Sequence, residues 1–122
     1  MVSSSLNSAQ EGSAVIRNLL RRILREFMDI VILAEMQKRE LSGYDVILFF
    51  HGKFQMLISS GSIYSLLYHL EREGLIEGIS DNRKRKYRLT DKGMKMIDAI
   101  ITQNSDLNLM AILRIGAKNT GA

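Results

Sequence analysis

The stretch SSGSIYSLLYHLEREGLI, Ser59 to Ile76, decides how the chain is read. Ile63, Leu66, Leu67 and Leu70 fall at i, i+3, i+4 and i+7, which lays one apolar stripe along a helix. Both ends are punctuated. Ser59 stands where a side-chain oxygen accepts from a backbone N–H that the first turn leaves without a partner. Gly74 stands just past the helix, where the left-handed conformation favours glycine, and Leu75 is placed to fold back on Leu70. The other face carries Ser60, Ser62, Tyr64, Ser65, Tyr68 and His69 and few of the charges that solvate a surface helix. Such a face either roofs a core or touches a partner.

On the C-terminal side, LIEGI (75–79) and RKYRL (85–89) are short β-compatible runs around a Ser-Asp-Asn turn, which predicts a hairpin over 75–89. Alternation puts Tyr87 and Leu89 on its inner face and Lys86 and Arg88 on its outer one. Thr90 then caps a helix with Asp91 in the first turn, where the helix dipole favours negative charge. Met94, Ile97 and Ile101 give its apolar side. A break or kink at 104–106 precedes an apolar helical piece, Leu107 to Ile115, and 116–122 form a tail.

On the N-terminal side, a loop over 53–58 leads back to a helix from Tyr44 to about Phe50, capped by Ser42 and ended by His51-Gly52. The piece 39–43 breaks the chain before it. Residues 13–37 hold Ile16, Leu19, Leu20, Ile23, Phe27, Ile30, Val31 and Ala34 at three- and four-residue steps, as one long helix or two abutting ones. Residues 1–12 are polar and Ser-rich and are expected to form a tail. The domain plan is therefore tail 1–12, N-terminal helical segment 13–37, body 38–90, C-terminal helix 91–115 and tail 116–122.

Composition narrows the function. With 122 residues the chain fits one domain. Hydrophobic content of 46% and charged content of 25% are those of a folded globular protein. No apolar run approaches the roughly 20 residues that span a bilayer, and the N-terminus has no basic segment followed by an apolar one. The expected location is cytoplasmic. Cysteine is absent, which removes disulfides, thiolate metal sites and cysteine nucleophiles. The net charge of +4 is compatible with a polyanionic partner.

The order helix, helix, helix, hairpin, helix is that of a winged helix-turn-helix, a mainly α fold with one small β-hairpin. In that arrangement the third helix enters the DNA major groove and the hairpin is the wing. The polar face of 59–76 then faces base edges and phosphates through hydroxyls that both donate and accept. Charge agrees. Arg83, Lys84, Arg85, Lys86 and Arg88 put five cations on the wing, while Glu71 and Glu73 are expected at the far end of the helix, away from the groove.

Three blocks, SGYDV (42–46), SSGSIYSLLYHLEREGLIE (59–77) and RKYRLTDKG (85–93), together resemble the PadR family of transcriptional regulators. The likeness covers about Phe27 to Ile101. Its pattern has Gly-Tyr opening the second helix, Ser-x-Gly-Thr-hydrophobic-Tyr leading the recognition helix, Leu-Glu-x-x-Gly-Leu closing it and Tyr-x-Leu-Thr-x-x-Gly after the wing. Ser60 stands where the family usually has proline. The resemblance implies a homodimeric DNA-binding regulator, commonly a repressor, with Ser62, Tyr64 and the wing cations on DNA. Some members stack planar ligands on tryptophans at the dimer centre; this chain has no tryptophan, and an effector stays unidentified.

Blander roles stand beside these. Tyr64 and Tyr68 either roof the core or face DNA, and Tyr44 and Tyr87 are expected to pack. The wing cations are either a solvated tip or phosphate ligands. Arg17, Arg21, Arg25 and neighbouring Arg22 form a solvated face, pair with Glu26 and Asp29, or meet DNA. His51 and His69 are the only histidines and no acidic pair completes a metal site. No nucleophile elbow, phosphate loop or His-Glu-x-x-His is present, so no enzyme, cofactor or metal is expected.

The function expected is sequence-specific DNA binding by a homodimer on a near-palindromic operator. The DNA-contacting residues expected are Ser60, Ser62, Tyr64, Ser65, Tyr68, Arg83, Lys84, Arg85, Lys86 and Arg88. N- and C-terminal helices would carry dimerisation through Ile16, Leu19, Leu20, Ile23, Leu109, Met110, Ile112 and Leu113, which one small core leaves unused. The rival from another class is a winged-helix protein–protein interaction module without a DNA site of its own, for which an apolar wing face would be needed.

Overall fold

In the computed structural model, which describes residues 2–103, helix α1 spans Val2–Glu26 and α2 spans Met28–Met36. The 13–37 periodicity resolves as two abutting helices. Phe27 leaves helical geometry (φ −110°, ψ 27°), yet its N–H donates to Ile23 O and its carbonyl accepts from Val31 N, both at 3.0 Å. The helix starts at Val2, well ahead of Ser13, in the stretch expected to be a tail. Nothing in 2–12 forbids this: there is no proline, and extending an existing helix fixes one residue per hydrogen bond gained.

α2 buries Val31, Ile32, Leu33 and Met36. The chain then makes a two-residue strand, β1 (Leu41–Ser42), before α3 (Gly43–Phe54) and α4 (Ser60–Arg72). Strands β2 (Ile76–Asp81) and β3 (Lys84–Leu89) form the hairpin, and α5 (Asp91–Gln103) closes the described part. The sheet is antiparallel in the order β1-β3-β2, with Leu41 opposite Tyr87 and Tyr87 opposite Gly78. In sequence β1 looks only like a break, because two residues carry no alternation. α3 runs one turn past Phe50, since Phe54 at i+4 is buried too, and Gln55 ends it in the left-handed region (φ 53°).

The caps are where the sequence puts them. Ser59 Oγ accepts from Ser62 N at 3.2 Å. At the other end of α4, Leu75 N donates to Leu70 O and Gly74 N to Glu71 O, each at 3.0 Å, with Gly74 at φ 76°. That is the Schellman pair of bonds. Thr90 Oγ1 accepts from Gly93 N at 3.1 Å to start α5. The core joins Leu24 and the α2 residues to Val46, Phe50 and Phe54 of α3, Ile63, Leu67 and Leu70 of α4, and Leu75, Ile76, Tyr87 and Ile97. No described helix is long and apolar enough to cross a membrane. The expected break at 104–106, the apolar piece 107–115 with Leu109, Met110, Ile112 and Leu113, and the tail 116–122 lie outside the described residues.

Gly93 sits so close to the Leu75 carbonyl that no Cβ fits between them. Gly61, near the start of α4, has nothing within 4 Å of the same position. Gly93→Ala should therefore destabilise the domain by about 1–3 kcal/mol through overpacking. Gly61→Ala should leave it unchanged or raise it by up to about 1 kcal/mol, by reducing the freedom of the unfolded chain. Thermal or urea denaturation of the two variants, side by side, checks the contrast.

Candidate nucleic-acid interface

With its apolar stripe locked into the core, α4 turns Ser60, Ser62, Tyr64, Ser65, Tyr68 and His69 outward, all exposed. Tyr64 is 51% and Tyr68 61% exposed, so neither roofs the core. Tyr64 is nonetheless held. Its ring lies where a Cβ at Gly43 would go, so α4 and the first residue of α3 are in close contact there. Arg72 lies 5.7 Å from the Tyr68 ring centre. His69 faces Glu73 at 3.0 Å. Among the described residues no cluster of His, Cys, Asp or Glu could hold a metal.

Two of the tyrosines expected to pack divide. Tyr87 is buried at 7% exposure, opposite Leu41 and Gly78. Tyr44 is 63% exposed. α3 buries Gly43, Val46, Phe50 and Phe54, and helical geometry turns Tyr44 away from that stripe. It borders an open cleft of about 780 Å³, lined by Ser42, Tyr44 and Asp45 at the start of α3, Tyr64 of α4 and residues 82–87 of the hairpin.

Asp45 is the acid in this otherwise cationic and aromatic recess. It forms a capping box with Ser42: Ser42 N donates to its carboxylate at 2.9 Å, and Asp45 N donates to Ser42 Oγ at 3.0 Å. The backbone bond from Ser42 is the main cause holding its carboxyl below the ordinary range, and the charges of Lys86 and Arg39 add to it.

The five wing cations are not equivalent. Arg83 and Lys84 stand exposed at the tip, without an ion pair among the described residues. Lys86 is half-buried, with its charge felt at Asp45. Arg88 pairs with Glu77 at 2.7 Å. Arg85 pairs with Glu71, one nitrogen reaching both carboxylate oxygens at 2.8 and 3.0 Å. Glu71 was expected to point away from all this. It belongs to the last turn of α4, but β3 folds back beside that turn. The alternation that sends Tyr87 inward sends Arg85 to the same side of the strand, which is the signal that could have found the pair.

The tip itself is tight. Asn82 (φ 46°) and Arg83 (φ 71°) both have positive φ, the backbone of a two-residue turn that ordinarily prefers Asn-Gly. On α1, Val15, Ile16 and Leu19 are about half exposed, Leu20 and Ile23 are partly buried, and among its described side chains only Leu24 reaches the core. Arg17, Arg22 and Arg25 are exposed and Arg21 partly so, with no ion pair to Glu26 or Asp29 among the described contacts.

A family model described as the transcriptional regulator PadR-like family matches residues 32–99, more than half of the chain, from α2 through most of α5. The chain belongs to the PadR-like family of transcriptional regulators. Among solved structures, a transcriptional regulator from Clostridium thermocellum has the same fold, with a TM-score of 0.60 at 23% identity over 76% of this chain and 93% of that one. Bacillus subtilis PadR in complex with operator DNA is 29% identical with a TM-score of 0.54, covering 62% of this chain and 47% of that one. A PadR-like regulator from Bacillus cereus is 33% identical with a TM-score of 0.51, covering 60% and 44%. This PadR-like chain thus spans less than half the length of those two relatives. No curated protein matches it in sequence.

The capping box of this PadR-like body has a pH signature. Because the Asp45 carboxyl is held below its ordinary value, its contribution is complete above the unfolded-state value, about pH 4. It is lost as pH falls through the lowered value. Asp45→Asn should therefore show a shallower fall of melting temperature than the parent chain on acidification below about pH 4, with parallel behaviour above it. Melts across that range check the sign.

Proposed function

We propose that this PadR-like chain is a sequence-specific DNA-binding regulator, acting as a homodimeric repressor on a near-palindromic operator. Helix α4 enters the major groove. Ser60, Ser62, Tyr64, Ser65 and Tyr68 present hydroxyls to base edges and phosphates, while Arg83, Lys84 and Lys86 meet the flanking backbone. Arg85 and Arg88 were expected to join them; each is held by a carboxylate in the free protein, and Lys86 is engaged there too, its charge acting on Asp45. The solved complex of the B. subtilis relative with operator DNA supports the reading.

The observation that carries it is Arg83. A non-glycine residue in the left-handed region costs roughly 1–2 kcal/mol, and glycine would relieve it. An exposed arginine in the tip turn of the wing, next to Lys84, favours a polyanion as partner. It argues against the rival interaction module, whose wing would be apolar.

Dimerisation follows from α1. Ile16 and Leu19, half in water, and Leu20 and Ile23, partly so, form an apolar face that the body leaves open. A second copy would cover it about a two-fold axis, with Leu109, Met110, Ile112 and Leu113 of each chain contributing. Such symmetry places two recognition helices about 34 Å apart, matching half-sites one helical turn apart. A dimer seated on a promoter blocks it, which makes repression the expected outcome, and cytoplasmic DNA the place of action.

Arg83→Gly tests the wing with two readouts of opposite sign. It should preserve or raise thermal stability, and it should lower the slope of log affinity against log salt by about one unit. The probe is duplex DNA selected from a random pool; an unchanged slope removes the wing tip from the interface. For the dimer, Leu19→Asp with Ile23→Asp should shift sedimentation toward the monomer and weaken DNA binding. A parent chain that sediments as a monomer at micromolar concentration would overturn the symmetric model.

A further inference from the structure

Glu71, Gly78 and Arg85 come from three elements, α4, β2 and β3, and meet at one point. The Glu71 carboxylate accepts from Gly78 N at 3.1 Å and from Arg85 at 2.8 and 3.0 Å. The Arg85 guanidinium lies over Gly78, where a Cβ would run into it, and 5.5 Å from the centre of the Tyr87 ring. Gly78 does not have a positive φ, and with no Cβ it leaves room for the Arg85 guanidinium to lie against the β2 backbone. The arrangement joins the last turn of α4 to the middle of the wing.

We infer that Glu71 and Arg85 form a strut that sets the angle between wing and recognition helix, and that Arg85 is a positioning residue and not a phosphate ligand. This rests on the proposal that α4 and the wing tip meet DNA together. The physical reason is pre-organisation. A two-stranded hairpin is marginal by itself, and its tip has freedom that binding must remove. β1 pairs only with Tyr87 and Lys86, in the middle of β3. Beyond that, at Ser80 opposite Arg85 and Asp81 opposite Lys84, the hairpin has no third strand. The strut engages it where the third strand stops. A wing free to swing holds the binding angle for a fraction of the time, and apparent affinity falls by that fraction.

Electrostatics alone predicts the opposite sign, which makes the inference testable. Glu71→Gln removes a negative charge beside the DNA face and releases a cation, so a purely electrostatic interface binds more tightly and with a steeper salt slope. The strut predicts weaker binding. The experiment measures affinity and salt slope for the full chain, Glu71→Gln, Arg85→Met and the double variant, on duplex selected from a random pool by the parent chain. Both single variants should bind roughly tenfold more weakly, if about a tenth of molecules hold the wing in place. Their salt slopes should match the parent's, and the double variant should lose no more than either single one, as for two groups acting as a unit. In the free proteins, hydrogen exchange of the β2–β3 amides should quicken in all three. Tighter binding by Glu71→Gln, or a slope lowered by one unit in Arg85→Met as in Arg83→Gly, overturns the strut. If Arg83→Gly itself leaves the slope unchanged, the wing reading fails, whatever the exchange data show about the strut.

Discussion

The backbone of Leu75 is the junction on which the rest of the molecule depends. Its N–H closes α4 onto Leu70 O, and its carbonyl accepts from Thr90 N at 3.1 Å. The Thr90 hydroxyl donates to Gly74 O, Lys92 reaches Glu73 O at 2.8 Å, and Gly93 lies against the Leu75 carbonyl. Gly74 and Leu75 thus end α4, begin the wing and dock the helix that follows it. The positive φ of Gly74 sets the turn, and the missing Cβ of Gly93 admits the neighbour. Both glycines are required by geometry, one by torsion and one by space.

A junction of this kind explains what was legible in the sequence. Caps are local. Ser42, Ser59, Gly74 and Thr90 act within a few residues of themselves, so their roles could be read from spacing alone. The apolar stripe of α4 was legible for the same reason, and so was the order of elements that gives the winged helix. What could not be read is non-local or too short to have a period. β1 has two residues, and only pairing with Leu89's strand neighbours Tyr87 and Lys86 makes it a strand. The reach of α3 to Phe54 depended on the core having room for a second phenylalanine. Tyr44 was misplaced by residue type, because tyrosines often pack, although helical angle turned it outward. The Glu71–Arg85 pair spans elements whose docking no window of sequence displays.

The wing shows how one run of like charges separates into different tasks. Arg88 and Arg85 are answered by Glu77 and Glu71, carboxylates from a neighbouring strand and helix. Exposed pairs of this kind add little to stability, so their consequence is geometric. They fix long side chains and leave the tip pair, Arg83 and Lys84, as the part of the wing turned to its surroundings. The tip also carries the strained backbone. Local preference and residue identity disagree at Arg83, and such disagreements concentrate where function overrides foldability. Counting five equivalent cations would miss this division entirely.

Among the residues whose side chains are described, α1 adds only Leu24 to the buried set. A long amphipathic helix that contributes one side chain to a core has its apolar face directed elsewhere. Each leucine-sized group left in water forgoes roughly 1.5–3 kcal/mol of burial. Val15, Ile16 and Leu19 lie on successive positions of that open face. On the dimer reading, this face and the wing tip answer to one constraint. The α1 seam sets the distance between two copies, while the Leu75 junction and the strut set the direction of each recognition helix and wing relative to its own body. Spacing and angle are thus determined in different places, and a change in one leaves the other intact. Changing the apolar seam would alter which operators can be spanned without altering how each half-site is read.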